Sequence, residues 1–348
     1  MRTVEIAPGY ARLTEVEPPP LRADSARVRV TACGVCGTDV HMKHGMVLPR
    51  GATYPVHPGH EVAGVVTEVH PEAAETASVG VGDEVVLHPL DTCGTCADCR
   101  SGNEQRCARL VTLGMHVQGG LAEEVVWPVS RMVPVPDLPP AQAALLSDAV
   151  ATAYHALRRA DVPPGGSLCV IGAGGVGTHV LKLARALDPS VELVGVVRSE
   201  ASADRVDRIG AHVVRDLDGA HRTVRELIGP ADAVVDFSGA RAAPSEGVRI
   251  LGKGGRLVMG SIVDESMSLG MTISGMTSRE LTVVGAYVST MDELRDVAKL
   301  ALDGALDLAD SVSYRYPLAD AVTAIDLVEH RPPGLVRLIL EPEGAACR

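Results

Sequence analysis

Four cysteines, Cys93, Cys96, Cys99 and Cys107, fall within the fifteen-residue stretch CGTCADCRSGNEQRC. Thiolates at this spacing grip one tetrahedral zinc from a short loop, and the fourth closes the shell. Four sulphurs leave no position for a substrate, so this metal is expected to staple a loop. Two disulfides are the rival use of the same residues. The start MRTVEIAPGYARL has no apolar signal run, which points to a reducing, cytoplasmic compartment and against disulfides.

A different chemistry is suggested at Gly172-Ala173-Gly174-Gly175-Val176-Gly177, directly after the apolar run SLCVI and before a helical stretch. A glycine pattern alone is weak. Between a strand and a helix it becomes a dinucleotide loop, in which the backbone approaches a pyrophosphate at a helix N-terminus. Gly172 allows the tight turn, Gly174 the close approach, and Gly177 the helix–strand packing. The next strand, VELVGVV, ends at Arg198-Ser199 rather than at an acid. A guanidinium and a hydroxyl there favour NADP(H) over NAD(H), although Arg198 could instead lie against adenine in solvent.

Cys36 in GVCGTDVH and His60 in PGHEVAG offer one soft thiolate and one imidazole, a pair that suits zinc. Such a metal acts on substrate only with a third protein ligand and an open fourth position. Taken alone, either residue is as easily an ordinary buried side chain.

The elements that must position these residues follow two rhythms. Up to about residue 150, ARVRVTACGV, HEVAGVVTEV and DEVVLHP read as short strands in a barrel-like β region. From about residue 160, SLCVIG, VELVGVV, ADAVVDF, GRLVMG and LTVVGAY alternate with helical segments, as in a parallel sheet covered on both faces. The segments MDELRDVAKLALDG, LADAVTAIDLVEH and LVRLIL close the chain and are expected to return to the first region. With 348 residues there is room for two domains, and the net charge of −12 argues against nucleic acid or an anionic membrane as partner. With one Phe and one Trp, the core must rest on aliphatic side chains.

GVCGTDVH, GHEVAGVV, VGDEVV, the four-cysteine lobe and CVIGAGGVG occur in the order found in zinc-dependent medium-chain dehydrogenases, and the chain resembles that alcohol dehydrogenase family over essentially its whole length. The resemblance implies an α/β protein with a GroES-like β-rich catalytic domain, residues 1–150 and 288–348, and a Rossmann doubly wound parallel sheet domain, residues 151–287. It also implies a cleft where nicotinamide meets zinc. By the same resemblance, Cys36, His60 and Asp148 would hold a catalytic zinc, and Cys93, Cys96, Cys99 and Cys107 a structural one. Glu61 would approach the metal during ligand exchange, Asp39 would orient His60, Thr38 would contact the substrate oxygen, and His41 would end the proton path at solvent. Gly172, Gly174, Gly175, Val176, Gly177, Arg198 and Ser199 would bind the cofactor.

The expected activity is hydride transfer between a secondary or cyclic alcohol, or its carbonyl, and NAD(P), through a zinc-bound alkoxide. Two zinc ions per chain and a small-molecule alcohol or carbonyl substrate follow, with a homodimer or homotetramer as the assembly. A polyol dehydrogenase or a cyclic hydroxyacyl-CoA dehydrogenase is the nearest rival. A zinc- and dinucleotide-binding sensor is a more distant one, because it needs no open metal or proton path. His88 and His116 are further candidates for reading a polar group on the substrate.

Overall fold

The run SARVRVTACGV forms the strand Ser25–Val35, with Ala26, Val28, Val30 and Ala32 buried and Arg27, Arg29 and Thr31 half-buried between them. This is the period-two pattern of a pleated chain with one face on a core. The strand is central to a seven-stranded sheet in the spatial order Val312–Pro317, Arg337–Glu341, Ser25–Val35, Glu61–Val69, Glu84–Leu87, Met132–Pro134, with Glu124–Pro128 also paired to Ser25–Val35. Its strands come from both ends of the chain. The unit comprises Met1–Ala151 with the chain from Thr290 onward. Trp127 is fully buried in it and donates its indole N–H to the His88 carbonyl at 2.9 Å.

Thr152–Ser289 forms the second unit. Its six strands are all parallel, in the order His212–Val214, Glu192–Val196, Ser167–Ile171, Ala231–Asp236, Leu251–Met259, Thr282–Gly285. Ser167–Ile171 is buried along its whole length, as a central strand covered on both faces must be. Numbered along the chain, the order is 3-2-1-4-5-6, that of a doubly wound dinucleotide fold, with its switch point between Ser167–Ile171 and Ala231–Asp236.

The computed structural model describes residues 1–264 and 266–342. Among them no helix is long and apolar enough to cross a membrane.

Candidate functional site

Strand register builds the first cluster. Gly34 pairs with Glu61 across antiparallel strands, which brings Cys36, just past one strand end, beside His60, just before the other. Leu338 pairs with Val35, so Arg337 begins its strand opposite Cys36. Gly34 is required by packing, since a Cβ there would lie 2.0 Å from Glu61 Oε2. The fourth member, Asp148, sits on a π-helical turn, Leu146–Val150, between the helices Pro140–Leu145 and Ala151–Ala160. Such turns break the ordinary helix ladder and often mark functional positions. Here Ser147 anchors the turn by donating its hydroxyl to the carbonyls of His60, at 2.8 Å, and Leu87.

One ligand atom each from Cys36, His60, Glu61 and Asp148 falls within 4.8 Å of all the others. His60 Nε2 lies 3.8 Å from Asp148 Oδ2. Cys36 and Asp148 are half-buried, whereas His60 and Glu61 are buried. A thiolate, an imidazole and a carboxylate converging on one point, with that much access, fit zinc with an open position. The resemblance placed Asp148 here although it is more than eighty residues from His60 in sequence.

Arg337 was not foreseen. Its Nη2 lies 2.7 Å from Glu61 Oε1 and 3.7 Å from Asp148 Oδ2, and it is 7% exposed. The approach to Glu61 is an ion contact off the hydrogen-bonding direction, and both Glu61 oxygens are buried without a hydrogen bond. Burial pushes the Glu61 carboxyl well above its usual range, a shift that Cys36 and Asp148 reinforce and Arg337 opposes. Burial also raises the Cys36 thiol, but Arg337 and His60 outweigh it and bring the thiol below its ordinary value. A buried arginine is rare unless paired, and the arginine inside the apolar LVRLIL was the signal that could have revealed it.

The helix Gly37–Lys43 presents the remaining residues. Thr38 Oγ1 lies 3.7 Å from Cys36 Sγ, and His41 follows one turn later, half-buried. Burial, with Arg331 and His44 nearby, lowers the His41 pKa. Asp39, which the resemblance pairs with His60, also serves the helix start. Its Oδ2 accepts the Cys36 backbone N–H at 2.8 Å and closes a capping box, while His60 Nδ1 and Asp39 Oδ1 have no hydrogen-bond partner among the described residues. The helix start takes one carboxylate oxygen, and the carboxylate's charge still raises the His60 pKa. His88 is fully buried, and both ring nitrogens of His116 are engaged, one by the Thr112 N–H and one at the Arg50 carbonyl. Neither stands in the Cys36 cluster.

The second cluster lies in the lobe. Cys96 caps the short helix Ala97–Arg100, and the four sulphurs lie within 4.8 Å of one another. Cys96 and Cys99 are 3.4 Å apart, Cys93 and Cys107 3.5 Å, and Cys93 and Cys99 3.9 Å. A tetrahedral zinc with bonds of about 2.3 Å needs sulphurs about 3.8 Å apart. All four are free thiols. The Thr95 backbone N–H, helped by Cys96, Arg109 and Cys107, outweighs burial and pulls the Cys93 thiol down to about 5. Burial and its sulphur neighbours push Cys99 up to about 11. Four such groups ionise together only around a cation. Arg131, 8% exposed, fastens both arms of the lobe through Thr92 at 2.5 Å and Glu104 at 2.9 Å.

The glycine loop belongs to the other unit. Gly172 has φ +87°, and a Cβ on it would meet the Ser238 backbone at 2.7 Å. At Gly174 a Cβ would meet nothing within 4 Å, which leaves open space where a pyrophosphate approaches. Gly175 and Val176 complete the turn, and the helix Gly177–Leu187 begins there. His179 Nδ1, 2.6 Å from the Gly175 carbonyl, ties the loop to that helix. Arg198 is exposed after the second strand, whereas Ser199 caps the helix Glu200–Arg208 and its oxygen accepts the Ser202 N–H at 3.2 Å. That hydroxyl, a candidate cofactor contact, also serves the cap.

Comparison with known proteins agrees with this architecture. Residues 22–137 match the alcohol dehydrogenase GroES-like domain, and residues 175–303 match the zinc-binding dehydrogenase domain. An NAD-dependent alcohol dehydrogenase of Sulfurisphaera tokodaii is 30% identical over 343 residues, covering 95% of this chain and 96% of its own. An erythritol/L-threitol dehydrogenase of Mycolicibacterium smegmatis is 28% identical over 335 residues, covering 91% of each. Among solved structures, a candidate zinc-binding dehydrogenase of Sinorhizobium meliloti 1021, bound to NADP, superimposes with a TM-score of 0.87 at 25% identity, covering 98% of this chain and 99% of its own.

Proposed function

The chain belongs to the zinc-dependent medium-chain alcohol dehydrogenase family, and from that premise we propose that it interconverts a secondary or cyclic alcohol and its carbonyl with NADP(H). The observation that carries this reading is the convergence of Cys36, His60 and Asp148 beside the buried Glu61, with Cys36 and Asp148 only half-buried.

Zinc held by Cys36, His60 and Asp148 would supply a Lewis acid to the substrate oxygen, and the nicotinamide would exchange the hydride. The rest falls to the chain's own groups. Thr38 Oγ1, next to Cys36 Sγ, takes the proton that leaves an alcohol and passes it on, directly or through water. His41, kept neutral by burial and by Arg331, receives it on the solvent side. Arg337 offsets the negative charge that Cys36, Glu61 and Asp148 gather in a buried space. Glu61 is close enough to exchange with a ligand. A second zinc, held by Cys93, Cys96, Cys99 and Cys107, would staple the lobe and take no part in the chemistry. Gly172, Gly174, Gly175, Val176 and Gly177 cradle the pyrophosphate, and Arg198 favours the 2′-phosphate.

Free thiols suit a cytoplasmic setting. The outermost strand of the parallel sheet, Thr282–Gly285, supports assembly as a homodimer or homotetramer. A polyol substrate is the second reading, favoured by the likeness to the erythritol/L-threitol enzyme.

Absorbance of reduced nicotinamide tests the proposal, with both oxidised cofactors and a panel of primary, secondary, cyclic and polyhydroxy alcohols. Turnover of secondary or cyclic alcohols with NADP supports it. Turnover confined to polyols moves the assignment to the second reading. No turnover, with two zinc ions bound, contradicts the simple-alcohol reading.

A further inference from the structure

We propose that Arg215 is a specificity-determining residue for the 2′-phosphate of NADP, and that Glu200 is the counter-ion which that phosphate displaces. The inference rests on the NADP reading above and adds the residues that would enforce it.

The parallel strands Glu192–Val196 and His212–Val214 end side by side, with Val196 paired to Val214 and the Val197 N–H donating to the Val214 carbonyl at 2.8 Å. The residue after the second of these strands is therefore thrown against the loop after the first. Arg215 Nη2 donates to the Arg198 carbonyl at 3.3 Å, and its Nη1 pairs with Glu200 Oε2. In the doubly wound fold the end of the second strand is where the adenosine ribose is read. Two guanidinium groups thus stand at the ribose position, from strand ends seventeen residues apart in sequence.

The neighbouring groups narrow the choice. Ser199 and Ser202 are occupied by the helix cap, their hydroxyl oxygens 2.8 Å apart. Arg205 is 5% exposed and held away from the surface by Thr178 and Ser202. Arg198 is exposed and has no side-chain ion pair or hydrogen bond among the described residues. Besides its bond to the Arg198 carbonyl, Arg215 has one ion pair, to a Glu200 side chain that is 78% exposed. Exposed ion pairs are weak and salt-screened, whereas a phosphate dianion offers a guanidinium two short charge-assisted bonds. A 2′-phosphate therefore takes Arg215 from Glu200 and is shared with Arg198. A ribose 2′-hydroxyl cannot compete in that way, and Glu200 then keeps Arg215.

Calorimetric binding of 2′,5′-ADP and 5′-AMP reads this directly, without turnover, because the two probes differ only in the 2′-phosphate. Wild type should bind 2′,5′-ADP more tightly. Arg215→Ala should weaken 2′,5′-ADP about tenfold and leave 5′-AMP unchanged, the scale of a lost hydrogen bond to a charged group. Arg215→Lys should recover part of the loss. Glu200→Gln should tighten 2′,5′-ADP about threefold, as expected for removing a weak surface competitor. If wild type prefers 2′,5′-ADP but Arg215→Ala keeps that preference, this inference is wrong and the NADP reading stands. If wild type prefers 5′-AMP and Glu200→Gln weakens it, Glu200 binds the ribose hydroxyls, and the NADP reading fails as well.

Discussion

Arg337 Nη2 lies 2.7 Å from Glu61 Oε1, a cation and an acid buried together at the edge of the Cys36 cluster. The two residues are 276 positions apart and meet because their strands both pair with Ser25–Val35. One guanidinium balances a thiolate and two carboxylates that, when ionised, would otherwise repel one another. Without it, the ligand set would be costly to assemble before any metal arrived.

Arg337→Met keeps the length of the side chain and removes its charge. Glu61 is then buried without a counter-charge, and stability should fall by about 3 kcal/mol, the usual scale for breaking a buried pair from one side. The midpoint of urea unfolding checks this. A change under about 1 kcal/mol would show that the pair is spared by protonation of Glu61.

Ser147→Ala removes the donor that seats the π-helical turn on the His60 and Leu87 carbonyls. The lost hydrogen bond should cost about 1 kcal/mol. Because the turn aims Asp148, kcat/KM should fall roughly tenfold, as for other residues that orient metal ligands. Steady-state rates alongside unfolding curves separate the two effects, and an unchanged kcat/KM would mean Asp148 needs no such support.

His41 has an acidity set by burial first and then by Arg331 and His44, all lowering its pKa below the ordinary 6.5, with Asp39 opposing. A base with a lowered pKa is available above that pKa and lost as pH falls through it. Alcohol oxidation should therefore hold to below pH 6.5 before it drops. Arg331→Ala should move the acid limb of the kcat/KM profile upward, and His41→Gln should remove it. A limb that stays in place in both variants would exclude His41 as the acceptor.

Arg131 fastens Thr92 and Glu104, one on each arm of the four-cysteine lobe. Arg131→Ala and Cys99→Ser should both lower the melting temperature, and Cys99→Ser should cost one zinc per chain. Metal analysis with thermal melts checks this pair. Unchanged melting in Cys99→Ser with two zincs retained would remove the loop-staple role.

Spacing made part of this site legible in sequence. The cysteines of the lobe are close in the chain, and the glycine loop is one continuous turn, so their geometry needed no knowledge of the fold. The alternating strands and helices likewise gave the parallel sheet, and the Val-rich runs gave the β-rich unit. Arg337, Ser147 and Gly34 were not legible, because their contacts depend on strand register and on a π-helical turn. Asp39 has a second use that the resemblance does not show: one carboxylate oxygen closes a helix cap, while its charge still acts on His60. Arg215 escaped notice because its partner strand lies beside it only in the folded sheet.

The most direct test of the central claim is zinc content measured together with turnover in wild type and Cys36→Ala. Wild type should bind two zinc ions per chain. Cys36→Ala should bind one, with turnover abolished and the four-cysteine lobe still loaded. Substantial turnover in Cys36→Ala, or two zincs retained there, would contradict a catalytic metal at Cys36, His60 and Asp148.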